Sequence, residues 1–154
     1  MFARIFALLF VILLAPGALW SQQDPLEKLA GTWRQTPDPG PPPQLRLHRW
    51  ELLGKDRMKH VSERVNAQGE RTVGEDQFDI YDGKEHPDGS GSVVRFLRID
   101  AHTIQQIRTS TQDRRILRFL ERVISPDGRT LTIRQIGTDG QGRSVSAVRV
   151  YKKQ

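Results

Sequence analysis

The sequence from Leu45 to the C-terminus consists of short β-rich segments separated by compact turns. Four of the connections, NAQGE, YDGKE, SPDGR and TDGQGR, contain Gln-Gly or Asp-Gly, which supply the positive φ angles that tight hairpins need. Eight segments have the length and the β-branched or aromatic content of strands: LRLHRWELL, RMKHVSERV, TVGEDQFDIY, SVVRFLRI, HTIQQIRTST, ILRFLERVI, RTLTIRQIGT and SVSAVRVYKK. The pattern predicts an antiparallel meander.

A meander of this length hides its edge strands most easily by closing on itself. We therefore predict an all-β fold, an antiparallel up-and-down β-barrel of about eight to ten strands. A β-sandwich is less favoured because it usually needs longer crossing connections. The leucines and glutamate of RFLERVI would also suit a helix, but the hairpin signals on both sides favour a strand.

The N-terminus has the pattern of a secretory signal peptide: Arg4, then an apolar run from Ile5 to Leu14, then small residues. The run is short for a membrane anchor, which is the alternative. We predict a signal peptide over 1–21, cleaved after Ser21, and one domain over 22–154. The sequence contains no cysteine, hence no disulfide and no thioether lipid anchor. A soluble, monomeric, exported protein is expected, either periplasmic or secreted.

Two features precede the strands. DPLEKLAG has a proline at a helix-start position and a glycine at its end, which predicts a short helical turn. Five of the nine prolines then lie between Pro37 and Pro43. No regular helix or interior strand survives that density, so a stiff Pro-rich loop is predicted over 36–44.

The net charge of +6 is unevenly distributed. From Ser21 to Asp88 there are ten basic and thirteen acidic residues, whereas from Gly89 to Gln154 there are thirteen basic and five acidic. A basic half indicates an anionic partner or a solvated face, and the even spread of the charges favours the solvated face. Nucleic acid is not expected as a partner, because Phe96 and Phe119 fit the core and an exported protein rarely meets it.

Catalysis and metal binding have little support in the sequence. His48, His60, His86 and His102 fall in different segments without the spacing of metal ligands, so solvated or hydrogen-bonding histidines are favoured. No Gly-x-Ser-x-Gly elbow and no phosphate-binding Gly-Lys-Ser/Thr occurs. We predict a protein that is not an enzyme and needs no cofactor or metal.

Several short stretches together resemble the lipocalin-like (calycin) small barrels of secreted bacterial proteins. They are LAGTW, PGPPP, YDGKEHP, RIDAHTI, VISPDGRTLTI, GTDGQGR and VRVYKKQ, in this order. The resemblance implies a barrel with one mouth, in which the tryptophan of Gly-x-Trp packs against a late-strand arginine and closes the base. Trp33 matches that tryptophan, and Arg149 or Arg134 could be its partner.

The GTW start and the VRVYKK end also resemble fatty-acid-binding proteins. In that family the arginine and tyrosine of the final Arg-x-Tyr hold a lipid carboxylate inside the barrel, and Arg149 and Tyr151 match them. One face of the last strand holds both residues, but neither face is clearly apolar, so alternation does not choose the inner one. For Arg149 we favour the structural pairing with Trp33 over a ligand contact or an exposed position.

Two functions remain open at this stage. The first is an exported binding protein that reversibly holds a small hydrophobic, lipid-like ligand, with or without a carboxylate, inside the barrel. Arg149 and Tyr151 would contact its head group, and the wall would include Trp50, Phe78, Phe96 and Phe119. The alternative is a filled barrel that contacts anionic envelope surfaces through its basic C-terminal half. A connected interior cavity would separate the two.

Overall fold

The computed structural model describes residues 23–36, 45–138 and 142–154. The predicted signal peptide and the Pro-rich residues 37–44 lie outside these ranges. The elements are α1 (Pro25–Leu29), β1 (Gly31–Gln35), β2 (Leu45–Gly54), β3 (Arg57–Val65), β4 (Arg71–Val73), β5 (Gln77–Ile80), β6 (Glu85–Pro87), β7 (Ser92–Arg98), β8 (Thr103–Ser110), β9 (Ile116–Ile124), β10 (Thr130–Thr138) and β11 (Ser144–Lys153).

The strands form one antiparallel up-and-down sheet in the order β4-β3-β2-β1-β11-β10-β9-β8-β7-β6, with β5 also paired to β3. The first and last strands meet in register, with Trp33 opposite Lys153. The predicted all-β barrel is confirmed, and RFLERVI lies within β9 as a strand. The described residues contain eleven strands, three more than the eight predicted segments. GTWRQ forms β1, TVGEDQFDIY divides into β4 and β5, and the YDGKEHP turn contributes β6.

The barrel has a seam where its two edges face each other. β5 is an edge because it pairs only with β3, and β6 is the other edge because it pairs only with β7. No hydrogen-bonded ladder joins β5 to β6 or β7 within the described ranges. At the seam, therefore, no row of backbone hydrogen bonds separates the barrel interior from the solvent.

Helix α1 closes one end of the barrel with an apolar plug. Asp24 caps the helix, its side chain accepting a hydrogen bond of 2.8 Å from the Leu26 amide, and Pro25 occupies the first turn. Leu26 and Leu29 are buried against a core that also contains Trp33, Ile104, Ile124 and Leu131. No helix in the described part of the chain is long and apolar enough to cross a membrane.

The burial pattern settles which face of β11 is the inner one. Val148 and Val150 are 64% and 37% exposed, whereas Tyr151 is 1% exposed and Arg149 is half-buried. The apolar valines thus face outward, and the arginine and the tyrosine face the barrel interior. Apolar content alone could not have shown this.

Candidate ligand cavity

Two adjoining cavities occupy the barrel above the apolar plug. The arginine cavity, about 250 Å³, is lined by Arg46, His48, Trp50, His60, Gln77, Asp79, Gln106, Arg118, Leu120, Arg122, Ile133, Gln135, Arg149 and Tyr151. The seam cavity, about 460 Å³, is lined by Gln77, Phe78, Asp79, Ile80, His86, Pro87, Asp88, Val94, Phe96, Gln106, Arg108 and Arg118. Because four residues line both, the two cavities adjoin, and the seam cavity lies between β5 and the strands β6 and β7.

The arginine cavity has a strong excess of positive charge. Four arginines line it, and Asp79 is the one carboxylate among its described lining residues. Asp79 accepts a hydrogen bond of 3.4 Å from the Tyr81 hydroxyl, and burial raises its pKa, which weakens it further as a counter-charge. The described protein groups therefore do not neutralise the cavity.

Strand register explains how the arginines meet. Ile133 on β10 is opposite Arg122 on β9 and also opposite Arg149 on β11, so the two arginines lie in one row across the inner surface. Strands are about 4.8 Å apart, which separates the two backbone positions by roughly 10 Å. Arg118 is four residues before Arg122 on β9. Side chains alternate between the two faces of a strand, so both arginines face inward.

Arg122 is the most buried of the four, at 5% exposure. Its Nη2 donates to Gln106 Oε1 at 2.9 Å, and its guanidinium carbon lies 5.8 Å from the centre of the Phe96 ring. Its Nε and Nη1 have no hydrogen-bond acceptor among the described residues. A buried guanidinium with two unused donor groups is costly unless an anion supplies the acceptors.

Arg118 and Trp50 add further unused donors. Arg118 Nε and Trp50 Nε1 are buried without an acceptor in the described part of the chain. Burial lowers the pKa of Arg118, and the charges of Arg108 and Arg122 lower it further, while the charge of Asp88 opposes this. Like charges brought together under burial are unfavourable, and a bound anion would relieve this.

An aromatic stack of His48, Trp50 and His60 forms one wall. The Trp50 ring is parallel to the His60 ring, with centroids 4.6 Å apart, and lies 5.2 Å from the His48 ring. Trp50 and His60 are directly opposite on β2 and β3, which explains the contact. The stack provides a flat surface with apolar faces beside the arginines.

A chain of hydrogen bonds links these rings to Tyr151 and Gln77. The Tyr151 hydroxyl is 3.4 Å from His48 Nε2, His48 Nδ1 is 2.7 Å from His60 Nε2, and His60 Nδ1 is 3.3 Å from Gln77 Oε1. The Gln77 carbonyl can only accept, so His60 donates to it through Nδ1. With both rings neutral, His48 then donates through Nδ1 to His60 Nε2, and the Tyr151 hydroxyl donates to His48 Nε2.

The pKa values agree with neutral rings. Burial lowers the pKa of His48 to about 3, with further lowering by the charges of His60 and nearby arginines. Burial also lowers the pKa of His60 to about 4, and the Arg122 charge adds to this, while the hydrogen bond to Gln77 opposes it. Near neutral pH the positive charge of the cavity thus comes from the arginines alone.

Arg149 and Tyr151, predicted as head-group contacts, both face this cavity. Arg149 Nη1 is 3.4 Å from Gln135 Oε1, a long hydrogen bond that leaves most of its donors for other partners. Tyr151 packs edge-on against His48, with centroids 5.1 Å apart, and burial raises its pKa. The two residues lie beside Arg46, whose pKa is lowered by burial and by the Arg149 charge.

The prediction that an arginine packs on Trp33 is wrong, because Lys153 occupies the position beside the Trp33 ring. Lys153 Nζ lies 5.2 Å from the centre of the Trp33 ring, and the Trp33 Nε1 donates to Leu29 O at 2.7 Å. Arg149 faces the arginine cavity instead, and Arg134 faces outward, 3.6 Å from Glu121. Lys153 is directly opposite Trp33 in the pairing of β1 and β11, whereas Arg149 is four residues further along β11. Lys153 is therefore the cation closer to the Trp33 ring.

The other aromatic predictions divide into three cases. Trp50 lines the arginine cavity, and Phe96 lines the seam cavity. Phe78 also lines the seam cavity but is 58% exposed on the edge strand β5. Phe119 is corrected: it alternates with Arg118 and Leu120, which face inward, and its cross-strand neighbours Ile107 and Ile136 lie on the outer surface.

Sequence reasoning missed the convergence of His48 with His60 and the inward orientation of Arg118 and Arg122. The sequence could have shown the histidine pair. Folding LRLHRWELL onto RMKHVSERV about the GKD turn places Trp50 opposite His60, and His48, two residues before Trp50, then lies diagonally next to His60 on the same face. The described residues contain no group of three or more histidine or carboxylate side chains placed to hold a metal ion.

Comparison with known structures places the fold. The wild-type fluorescent protein UnaG matches with a TM-score of 0.57 and 15% identity, covering 84% of this chain and 99% of that one. As-p18, described as an extracellular fatty acid binding protein, matches with a TM-score of 0.54 and 16% identity, covering 86% of this chain and 100% of that one. The chain has a fatty-acid-binding-protein-like barrel.

These similarities establish the fold alone, since the identities are low. No protein-family model matches the sequence. A search of curated proteins finds no significant match either. The narrower lipocalin assignment stays a prediction.

Proposed function

We propose that the protein is an exported carrier that reversibly binds a small hydrophobic ligand with an anionic head group inside the barrel. The observation that supports this most is the arginine cavity, in which four arginines face one carboxylate. A buried excess of cationic donors is stable only with an anionic partner or with water, and a carboxylate satisfies a guanidinium well.

The apolar part of the ligand would extend from the arginine cavity into the seam cavity. Phe96, Val94 and Ile80 offer apolar surface there, and Trp50 offers a flat ring face in the arginine cavity. Ligand sites in proteins commonly have about 300–1,000 Å³, and the seam cavity alone, at about 460 Å³, is within that range. Apolar burial, about 25 cal/mol per Å², would supply most of the affinity and the arginines the orientation.

The comparisons support the same class of ligand without naming it. As-p18 is described as a fatty acid binding protein and as extracellular, and it has the same fold. We propose the corresponding features here: secretion or export to the periplasm after cleavage of 1–21, a monomer, no nucleic-acid partner and no catalytic activity. The two adjoining cavities favour the carrier over the filled-barrel alternative.

The test is a binding titration on purified, delipidated protein, followed by Trp fluorescence and by thermal shift. Laurate should bind, and dodecanol, which has the same chain and no charge, should bind at least about tenfold more weakly. Arg149→Ala should weaken laurate binding by a similar factor, because it removes one charge-assisted contact. Arg134→Ala, the matched change on the outer surface, should leave it unchanged.

Two results would count against the carrier proposal. Native mass spectrometry of freshly purified protein without any bound small molecule, together with no thermal shift across saturated and unsaturated fatty acids, would refute it. Equal affinities for laurate and dodecanol would refute the role of the arginines while leaving apolar binding in place.

A further inference from the structure

The outer surface of strands β10 and β11 exposes large apolar side chains to solvent. Val148 is 64% exposed, Ile136 59% and Val150 37%. Val148 and Val150 are two residues apart on β11 and share its outer face. Because Arg134 is opposite Val148, Ile136, two residues further along β10, lies diagonally next to Val148. Val148, Val150 and Ile136 form the outer apolar patch.

Apolar side chains continue from the outer apolar patch across the next two strands. Phe119 on β9 is directly opposite Ile136, and Ile107 on β8 is directly opposite Phe119. Phe119 and Ile107 are partly exposed, so an apolar row crosses the outer surface from β8 to β10. Single apolar residues on a surface need no explanation, whereas a contiguous patch is typical of a surface that contacts a partner or a membrane.

Two exposed cations lie at one end of the outer apolar patch. Lys152 follows Val150 by two residues on the outer face of β11, and Arg34 on β1 is directly opposite Lys152. Like charges in directly opposite positions on neighbouring strands repel each other. Lys152 Nζ donates to the neutral Thr130 hydroxyl at 2.8 Å, and neither cation forms an ion pair with a carboxylate in the described ranges. An anionic partner would relieve this repulsion.

This outer surface has few carboxylates of its own. Among the described outward-facing side chains of β9, β10 and β11, Glu121 is the one carboxylate, and it lies 3.6 Å from Arg134, so these two charges offset each other. Asp127, in the turn between β9 and β10, accepts hydrogen bonds within that turn. Arg34 and Lys152 therefore give the surface a net positive charge beside its exposed apolar side chains.

The combination of apolar and cationic side chains distinguishes the partners that could cover the patch. A second copy of the chain, docked through the same face, would bring the same positive charge, which opposes the contact. The surface of an anionic membrane matches both components, because lipid phosphates attract the cations and the headgroup region accepts the apolar side chains.

We propose that the outer face of β10 and β11 docks the protein reversibly on a membrane surface that contains anionic lipids. Val148, Val150 and Ile136 enter the headgroup region, and Arg34 and Lys152 contact lipid phosphates. The inference goes beyond the carrier function and does not depend on it, since the docking residues lie outside the barrel. If both hold, docking places the cavity next to a source of apolar ligands.

The experiment is co-sedimentation of the protein with lipid vesicles. Vesicles of phosphatidylcholine alone are compared with vesicles of equal parts phosphatidylcholine and phosphatidylglycerol. At about 0.1 M salt the anionic vesicles should bind at least about tenfold more tightly, and at about 1 M salt most of this preference should be lost. All variants keep the same N-terminal residues, so the apolar run from Ile5 to Leu14 cannot cause differences among them.

Substitutions in the outer apolar patch test its part in docking. Ile136→Thr combined with Val148→Thr keeps the β-branched shape that suits a strand and should weaken binding to anionic vesicles at least about fivefold, because less apolar surface is removed from water. The matched control combines Leu53→Thr with Val73→Thr. These residues, 46% and 56% exposed, lie on β2 and β4, and their substitution should leave vesicle binding unchanged.

A second pair of variants tests the cations. Arg34→Gln combined with Lys152→Gln should reduce the preference for anionic vesicles to less than about threefold. Lys55→Gln combined with Arg57→Gln removes the same number of charges from exposed positions around the β2–β3 turn and should retain the preference. Equal losses in the two double variants would show that net charge alone attracts the protein, which would refute docking through this face.

Three further outcomes would overturn the proposal. They are equal binding to both kinds of vesicle, no binding to either, and full binding by the Ile136→Thr, Val148→Thr variant. Sedimentation velocity tests the second copy as the occupant: the protein should be monomeric, and a concentration-dependent dimer that this variant abolishes would assign the patch to self-association instead. Laurate binding in solution should be the same in all these variants, so loss of docking leaves the carrier proposal standing.

Discussion

Lys153 Nζ lies 5.2 Å from the centre of the Trp33 ring and donates a hydrogen bond of 3.0 Å to Lys28 O. A single lysine thus joins the last strand, the first strand and the closing helix at the base of the barrel. Burial lowers its pKa, in keeping with its position under the helix. This contact fills the structural position that the sequence suggested for Arg149.

We predict that Lys153→Met lowers the free energy of unfolding by about 1 kcal/mol, through loss of the cation–π contact and the hydrogen bond to the helix. Arg149→Met should cost less or should stabilise the ligand-free protein, because it removes a partly buried charge whose closest described acceptor is 3.4 Å away. Urea unfolding of both variants measures this. A larger loss in Arg149→Met would restore the structural interpretation of Arg149.

The difference between sequence and structure at this point has a physical cause. Hairpin signals and the two ends of the chain sufficed to predict the barrel, because turn chemistry and strand spacing are local. The inner face of β11 is the one that the neighbouring strands bury. The sequence does not reveal it, because the pair Arg149 and Tyr151 is less apolar than the pair Val148 and Val150 on the opposite face. Packing across β10 and β1 decided it, and such contacts are not local.

The hydrogen-bonded pair of His48 and His60 predicts a loss of stability in mild acid. Both pKa values are lowered in the folded state, to about 3 and about 4, whereas an unfolded histidine titrates near 6.5. Between about pH 6.5 and 4 the unfolded chain therefore binds more protons, and stability falls as pH falls through this window. The charges of Arg46, Arg122 and Arg149 oppose protonation of the histidines. Asp79 and Tyr151 are the other titratable groups that line the same cavity.

His60→Gln should flatten this dependence. At pH 5 the unmodified protein should have lost about 1–2 kcal/mol more, relative to pH 7.5, than the variant has lost. Urea unfolding at the two pH values gives the difference directly. His102→Gln, at a histidine outside the cavity, should retain the full loss, and parallel curves for unmodified protein and His60→Gln would contradict the prediction.

Gly137 marks a close approach of two backbones on the inner surface. A Cβ atom at this position would lie 2.5 Å from Leu117 O and 2.9 Å from the Arg118 Cα. Gly137→Ala should therefore destabilise the barrel by about 1–3 kcal/mol, because β9 and β10 would have to separate. Gly54→Ala, where nothing lies within 4 Å of the added atom, is the matched control and should be nearly neutral.

The position of Gly137 also explains a feature that the sequence concealed. RTLTIRQIGT is an unremarkable strand segment, and a glycine within it could equally mark a bulge or a weak point. In the structure Gly137 is opposite Arg118, and its lack of a side chain lets β9 and β10 come close together beside that arginine. An equal effect of the two alanine substitutions in thermal unfolding would remove this role.

Arg98 ties three segments together beside the helix. Its Nη1 donates to Asp24 Oδ2 at 2.7 Å, its Nη2 donates to Asp56 Oδ1, and Nη2 also reaches Tyr81 O at 3.1 Å. The side chain is 24% exposed, so these bonds are partly shielded from water. Since Asp24 caps α1 and Asp56 lies in the β2–β3 turn, the arginine fixes the plug to the sheet.

Arg98→Gln should lower the free energy of unfolding by about 2 kcal/mol, because two carboxylates and a carbonyl lose a charged donor. Arg114 is the matched control: it contacts Glu85 through two hydrogen bonds of 2.6 and 3.1 Å, but its side chain is 60% exposed. Arg114→Gln should change stability far less, since solvent and salt screen an exposed pair. Urea unfolding at low and high salt compares them, and an equal loss in the two variants at high salt would show that burial of the Arg98 contacts adds nothing.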